Sequence, residues 1–228
     1  MNNQAGCART KLGVWVRAAF LILLIALAYA MVYGSGFVWD DNDYVTNNQT
    51  LLSLSGLKAI WLQPGAVPQY YPLVHTTFWL EYRFWKLDAL GYHVTNVLLH
   101  CLNALLAWYV LSLLRIRSAW LIAMVFAVHP VHVESVAWIT ERKNVLSGFF
   151  YLAAFASYIR FEMSERRAWR WYGGSCVLFL CALLSKTVAC TLPAALLLVV
   201  WYRRGSLRIG DVVRTLPFFA VGFSLALV

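Results

Sequence analysis

Residues 12–33 form a run of 22 with a single charge, Arg17. Comparable apolar runs recur at 93–114, 118–139, 144–161, 171–185 and 187–202, and another opens at Thr215. A bilayer core of about 30 Å takes about 20 apolar residues per helix, so several runs approach a full span. With 61% of the residues apolar and only 13% charged, the chain lies outside the range of ordinary soluble domains. The expectation is an all-α polytopic membrane protein, a bundle of about six to seven transmembrane helices. It is read as one domain over residues 1–228. The two runs flanking Lys186 are short, about 24 Å by helical rise, which suits a tilted or thinned hairpin. Residues 215–228 supply only part of a further helix, so the chain is expected to be incomplete at its C-terminus.

The formal net charge is +9, and its distribution says more than its size. A cytoplasmic N-terminus puts 13 of the 19 basic residues on the cytoplasmic side, among them Arg115, Arg117, Arg166, Arg167, Arg203 and Arg204. The opposite side receives seven of the ten acids: Asp40, Asp41, Asp43, Glu81, Asp88, Glu134 and Glu141. This arrangement follows the positive-inside rule loop by loop. The basic charge therefore reports orientation, and no nucleic-acid partner is expected. Five cysteines, Cys7, Cys101, Cys176, Cys181 and Cys190, lie mostly within apolar runs and offer neither a disulfide framework nor zinc spacing. Ala28-Tyr29-Ala30 fits a signal-peptidase site, but the apolar run continues through Tyr33, which favours an uncleaved anchor.

Between the first two runs lies an external segment, residues 34–92, far longer than ordinary connectors and for that reason expected to be functional. A helix is predicted at 55–62 behind a serine cap. The aromatic-rich stretch 69–87 suits one or two amphipathic helices on the membrane surface, or a belt that only anchors the loop. Near the start of the segment, Asp40 and Asp41 stand side by side in Phe37-Val38-Trp39-Asp40-Asp41-Asn42-Asp43-Tyr44. A carboxylate pair held at one depth beside a membrane is what an enzyme acting on a lipid-carried substrate needs. The plain alternative is a solvated acidic turn.

His93, Asn96, His100 and Asn103 recur at steps of three and four and share one helical face. At membrane depth they must face protein or a water-filled cavity, so interhelical hydrogen bonding and a substrate cleft both fit. The run at 118–139 is interrupted by His129-Pro130-Val131-His132-Val133-Glu134. Either Pro130 kinks one long helix, or a short helix turns back as a re-entrant segment. Both leave His129, His132 and Glu134 near the outer surface. His-x-x-His is a weak metal signal, and no metal or other cofactor is expected.

Several segments, in order, carry a more specific signal: the 37–45 block with the acid pair, Tyr71-Pro72-Leu73, Gly91-Tyr92-His93-Val94-Thr95-Asn96-Val97-Leu98-Leu99-His100, and His129 to Trp138. They resemble the N-terminal membrane region of the GT-C glycosyltransferases, in particular the transmembrane-and-tetratricopeptide-repeat O-mannosyltransferases and their bacterial relatives. Glu141-Arg142-Lys143-Asn144, Leu184-Ser185-Lys186-Thr187 and Thr191-Leu192-Pro193 extend the resemblance over essentially the whole chain beyond Leu12.

The resemblance implies a GT-C-like helical bundle that takes a sugar from a polyprenyl phosphate and passes it to an acceptor hydroxyl outside the cytoplasm, with mannose one candidate sugar. Asp40-Asp41-x-x-Tyr44 matches the family's acidic-acidic-x-x-aromatic order, which makes Asp40 the candidate base and Asp41 its orienting partner. A hydroxyl is a poor nucleophile, so a carboxylate must take its proton as the bond to phosphate breaks. The departing phosphate needs positive charge on the same side, and the candidates are Lys186, Arg142 and Lys143. Lys186 interrupts an otherwise apolar stretch, and its plain alternative is a snorkelling helix-end lysine. Tyr44, Tyr71, His93, His100, His129, His132 and Glu134 are the expected cleft residues. The implied partners are a lipid-linked sugar donor, a protein or lipid acceptor and membrane lipids. The implied location is a bacterial inner membrane, or the endoplasmic reticulum membrane of a eukaryote. Two other readings stay open: a catalytically inactive remnant that serves as a binding or assembly partner, and a transporter lined by the polar stripe. Against the transporter, the acids cluster at the outer surface and no repeat is evident.

Overall fold

The computed structural model describes residues 2–164 and 168–226. Arg166 and Arg167, and the side chains of Cys7, Arg9 and Lys11, lie outside what it describes. All regular structure in the described residues is helical, as expected. The α-helices are α1 (Asn2–Ala28), α2 (Leu54–Leu62), α3 (Pro72–Trp85), α4 (Ala89–Leu113), α5 (Ala119–Val128), α6 (Val133–Ala137), α7 (Arg142–Met163), α8 (Trp169–Leu183), α9 (Leu192–Arg204) and α10 (Ile209–Ala226). Among the described residues one helix, α4, is long and apolar enough to cross a membrane. The pair α5 and α6, bent by 51°, passes the same test jointly as a broken or re-entrant span. The apolar part of α1, Leu12–Ala28, is shorter.

The bend has a local cause. Proline lacks a backbone N–H and clashes with the preceding turn, so α5 stops at Val128 and Pro130 opens a single tight turn before α6. The helix predicted at 55–62 is observed as α2, but its cap is Ser53, whose hydroxyl accepts the Gly56 N–H at 3.0 Å. Gly56 is required there, because a Cβ would lie 2.1 Å from the Thr50 carbonyl oxygen. In the aromatic-rich stretch α3 starts at Pro72 and buries Val74, His75, Phe78 and Glu81 on one face. Its Leu80, Phe84 and Trp85 stay exposed, the pattern of an amphipathic helix.

Four apolar cores hold the described residues together, the smallest joining Val110 of α4 to Ala156 and Ile159 of α7. Leu21, Ile25 and Tyr29 of α1 pack with Val97, Cys101 and Ala104 of α4 and Ala127 of α5. Tyr44, Val45 and Leu51 pack with Val74 and Phe78 of α3 and Tyr92 of α4. Ala154 and Tyr158 of α7 pack with Phe179, Leu183, Leu192, Leu196 and Phe218 from the last three helices. The polar stripe of α4 is buried and faces protein. Asn96 donates to the Trp138 carbonyl at 3.0 Å, Asn103 to the Val145 carbonyl at 2.8 Å, and His100 Nε2 lies 2.9 Å from the Ala127 carbonyl. The Ala127 and Trp138 carbonyls, at the C-terminal ends of α5 and α6, are thus met by side chains of α4. The stripe that a transport pathway would need is taken up in packing.

Candidate functional site

The acidic loop splits its two carboxylates. Trp39 adopts φ 49°, a left-handed conformation rare for a bulky residue, and its ring meets Trp138 edge-on at 5.2 Å. Past this turn Asp41 is fully buried and Asp40 is exposed. Asp41 Oδ1 accepts the Thr140 N–H at 2.8 Å and the Thr140 hydroxyl at 2.5 Å, while Oδ2 accepts the Val38 N–H at 2.9 Å. Asp41 is thereby a brace for the loop, and Asp40 is left facing outward.

Glu141, next in sequence to Thr140, gathers two cations. Its carboxylate lies 3.0 Å from Lys143 Nζ and 3.9 Å from Lys186 Nζ. Asn144 bridges Glu141 and the Lys186 ammonium. Lys143 also reaches Gln69 Oε1 at 3.4 Å, and the same oxygen accepts the Tyr44 hydroxyl at 2.8 Å. Burial pushes the Lys186 ammonium below its ordinary range; Glu141 opposes the shift and Lys143 adds to it. Lys186 shares the Glu141 carboxylate with Lys143. It lines a cavity of about 170 Å³ with Asn144, Ser147 and Tyr151. A second cavity of about 400 Å³ is lined by Gln69, Tyr71, Leu184 and Thr187, the last adjacent to Lys186. Asp40 lines neither cavity.

Arg142, grouped by sequence with the phosphate candidates, is fully buried. Nη1 pairs with Glu81 at 2.7 Å and reaches Thr77 at 3.2 Å, Nη2 donates to the Tyr92 carbonyl at 3.0 Å, and Nε donates to Asn96. Its guanidinium clamps α3 and α4 to the start of α7 with four of its five N–H donors engaged, and its full burial keeps it away from a phosphate. Lys143 and Lys186 remain as the cations of the site.

The histidines divide in a similar way. His100 packs against Tyr29, Phe126 and His132, with the hydrogen bond to Ala127. His129 is exposed, and its Nδ1 accepts the Val131 N–H at 3.2 Å as a cap on the turn after Pro130. His132 packs on Phe126 at 4.4 Å between ring centroids. His93 is buried with neither ring nitrogen hydrogen-bonded, and Glu134 is exposed. Among the described residues no three His, Cys, Asp or Glu side chains gather to hold a metal ion.

Sequence reasoning gave no role to Thr140, Glu141, Asn144, Gln69 or His75. Glu141 and Asn144 stood inside a quoted signature and were within reach. Gln69 and His75 had no periodic or motif signal. His75 is buried under the ring of Tyr44, stacked at 5.0 Å and 20°, and neither ring nitrogen meets the geometry of a hydrogen bond. Burial lowers its pKa to about 4, with Lys143 adding and the nearby Gln69 backbone opposing.

The fold and the site define a helical bundle with an acidic loop and a lysine pair tied together at one end. The sequence comparisons agree with the resemblance read from the motifs. The chain is similar to the mouse protein O-mannosyl-transferase TMTC3, 33% identical over 150 residues, which is 61% of this chain and 16% of that protein. It is 34% identical over 179 residues to the Drosophila melanogaster protein O-mannosyl-transferase Tmtc1, covering 74% of this chain and 21% of that one. It is 31% identical over 157 residues to the Caenorhabditis elegans protein O-mannosyl-transferase F38B6.6, covering 61% and 23%. The relationship to this group of O-mannosyltransferases is therefore shown by sequence. The matched part spans between 16% and 23% of the length of these relatives. No family model matches the chain, and no solved structure matches it.

Proposed function

We propose that the chain is part of a polytopic membrane glycosyltransferase that moves a sugar, with mannose the first candidate, from a polyprenyl-phosphate carrier to an acceptor hydroxyl on the extracytoplasmic side. The observation that carries this reading is the Thr140-Glu141 step. Thr140 holds the acidic loop through Asp41 at 2.8 Å, and Glu141 holds Lys143 and Lys186 at 3.0 Å and 3.9 Å. The base and the cations therefore belong to one end of the bundle. The names of the relatives support the transferase class and the sugar.

In this mechanism Asp40 takes the proton of the acceptor hydroxyl as its oxygen attacks the anomeric carbon. The bond from that carbon to the phosphate oxygen breaks, and configuration inverts. The phosphate gains negative charge as it leaves and meets Lys186 and Lys143, of which Glu141 balances one. Asp41 orients the loop and does not touch substrate. Tyr44 and Tyr71 serve as walls near the cations.

The membrane reading draws on α4, on the α5–α6 pair and on α7. Between Lys143 and Arg160, α7 carries 16 residues with no charge, about 24 Å by helical rise. The asymmetry of basic charge supports a cytoplasmic N-terminus with segment 34–92 outside. The test is transfer of radiolabelled sugar from synthetic polyprenyl-phosphate donors by membranes that carry the protein at its full genomic length. Transfer from one such donor is expected, and absence of transfer from all of them would remove the reading.

A further inference from the structure

At the end of α4 remote from the acidic loop, about 35 Å away by helical rise, two arginines head a continuous groove. Arg115 and Arg203, with Leu113, Leu114 and Tyr202, line a polar pocket of about 370 Å³. Leu114 and Tyr202 are shared with an apolar groove of about 390 Å³, walled by Leu111, Ile116, Leu198 and Val199. On α9 the residues Ala195, Leu198, Val199 and Tyr202 recur at helical spacing, and Leu198 and Tyr202 are 63% and 62% exposed. A polar head and an apolar tail thus adjoin at the depth where α4 ends.

Two observations say what fills it. The first is charge. Arg204 and Arg214 on neighbouring helices are neutralised by Glu162 and Asp211, whereas Arg115 and Arg203 have no acidic partner among the described residues. The second is backbone conformation. The Arg115 N–H bonds the Ser112 carbonyl and the Ile116 N–H bonds the Leu111 carbonyl, both at 3.0 Å. This is the helix ending whose left-handed residue is usually glycine, yet the residue at φ 59° is Arg115. The left-handed turn sets the Arg115 side chain at the pocket that it lines with Arg203.

We infer that this pocket and groove bind an anionic diacyl phospholipid of the bilayer, its headgroup phosphate between Arg115 and Arg203 and one acyl chain along Leu198 and Val199. The inference rests on the reading of α4 as a membrane span. Arginine offers planar, multi-donor recognition of phosphate, and basic residues at the end of a span face the anionic surface of the cytoplasmic leaflet.

The test titrates the detergent-solubilised full chain with phosphatidylglycerol and with phosphatidylcholine, reading bound lipid by native mass spectrometry. Phosphatidylglycerol should bind roughly thirtyfold more tightly, each arginine near the headgroup contributing about fivefold. Arg115→Gly with Arg203→Ala should abolish the preference while the fold is kept, since glycine suits the turn at residue 115. Leu198→Trp, which fills the groove, should weaken the anionic lipid, and Lys58→Ala, the loss of one positive charge elsewhere, should not. Equal affinity for the two lipids, or full displacement of phosphatidylglycerol by glycerol phosphate, would overturn the inference. Flotation of the chain with phosphatidylcholine vesicles after an alkaline wash tests the span separately: a chain that stays bound without lipid preference defeats only this inference.

Discussion

The carboxylate of Asp41 accepts both the backbone N–H and the hydroxyl of Thr140, a residue 99 positions later in the chain, at 2.8 Å and 2.5 Å. One buried side chain thereby ties the acidic loop to the turn that opens α7. It also separates the roles of two adjacent acids, because satisfying Asp41 in the interior turns Asp40 outward.

Thr140→Ala should lower stability by about 1–3 kcal/mol, since it removes a buried donor to a charged acceptor. The backbone N–H of residue 140 remains, so the loop should stay attached. Chemical unfolding in detergent micelles checks the size, and an unchanged midpoint would show that the hydroxyl contact adds nothing.

Asp40→Asn should leave the unfolding midpoint unchanged, because the side chain is exposed and braces nothing. Sugar transfer by the full-length protein should fall by about 10²–10⁴, the range for loss of a general base. Asp41→Asn should instead lower both stability and transfer. A pair of variants with the opposite ranking would exchange the roles of the two acids.

Arg142→Met should destabilise by about 3–5 kcal/mol, since it strands Glu81 as a buried charge without its partner. Glu81→Leu added to it should recover much of the loss. The measurement is thermal unfolding of both single variants and the double variant, and strict additivity would mean that the two side chains do not interact.

Stability should fall as pH drops from about 6.5 toward 4, in part through His75. Its folded pKa is lowered to about 4, so across this window the unfolded chain binds a proton that the native chain excludes. Above the unfolded value the histidine is neutral in both states and contributes no slope. His75→Phe, which keeps a ring against Tyr44, should flatten the profile between pH 6.5 and pH 4. Unfolding midpoints measured at half-unit steps would reveal an unaltered slope if His75 is uninvolved.

Periodicity was readable because helix geometry is local. The spacing of His93, Asn96, His100 and Asn103 placed them on one buried face of α4, and Pro130 marked the break between α5 and α6, since both follow from 3.6 residues per turn and a missing N–H. Even here the cap of α2 was misplaced by two residues, because Ser53 and Ser55 offer the same hydroxyl and only the approach of Thr50 to Gly56 selects the first.

What the sequence determined by itself was the helical class and the acidic loop as a unit, because apolar period and motif order need no knowledge of contacts. Which acid is buried, and which carboxylate each cation meets, only the tertiary structure decided. Arg142 and Lys143 are neighbours of like charge, yet α7 turns one toward Glu81 and the other toward Glu141. A burial penalty is satisfied by partners distant in sequence, and their positions are fixed only when the helices pack.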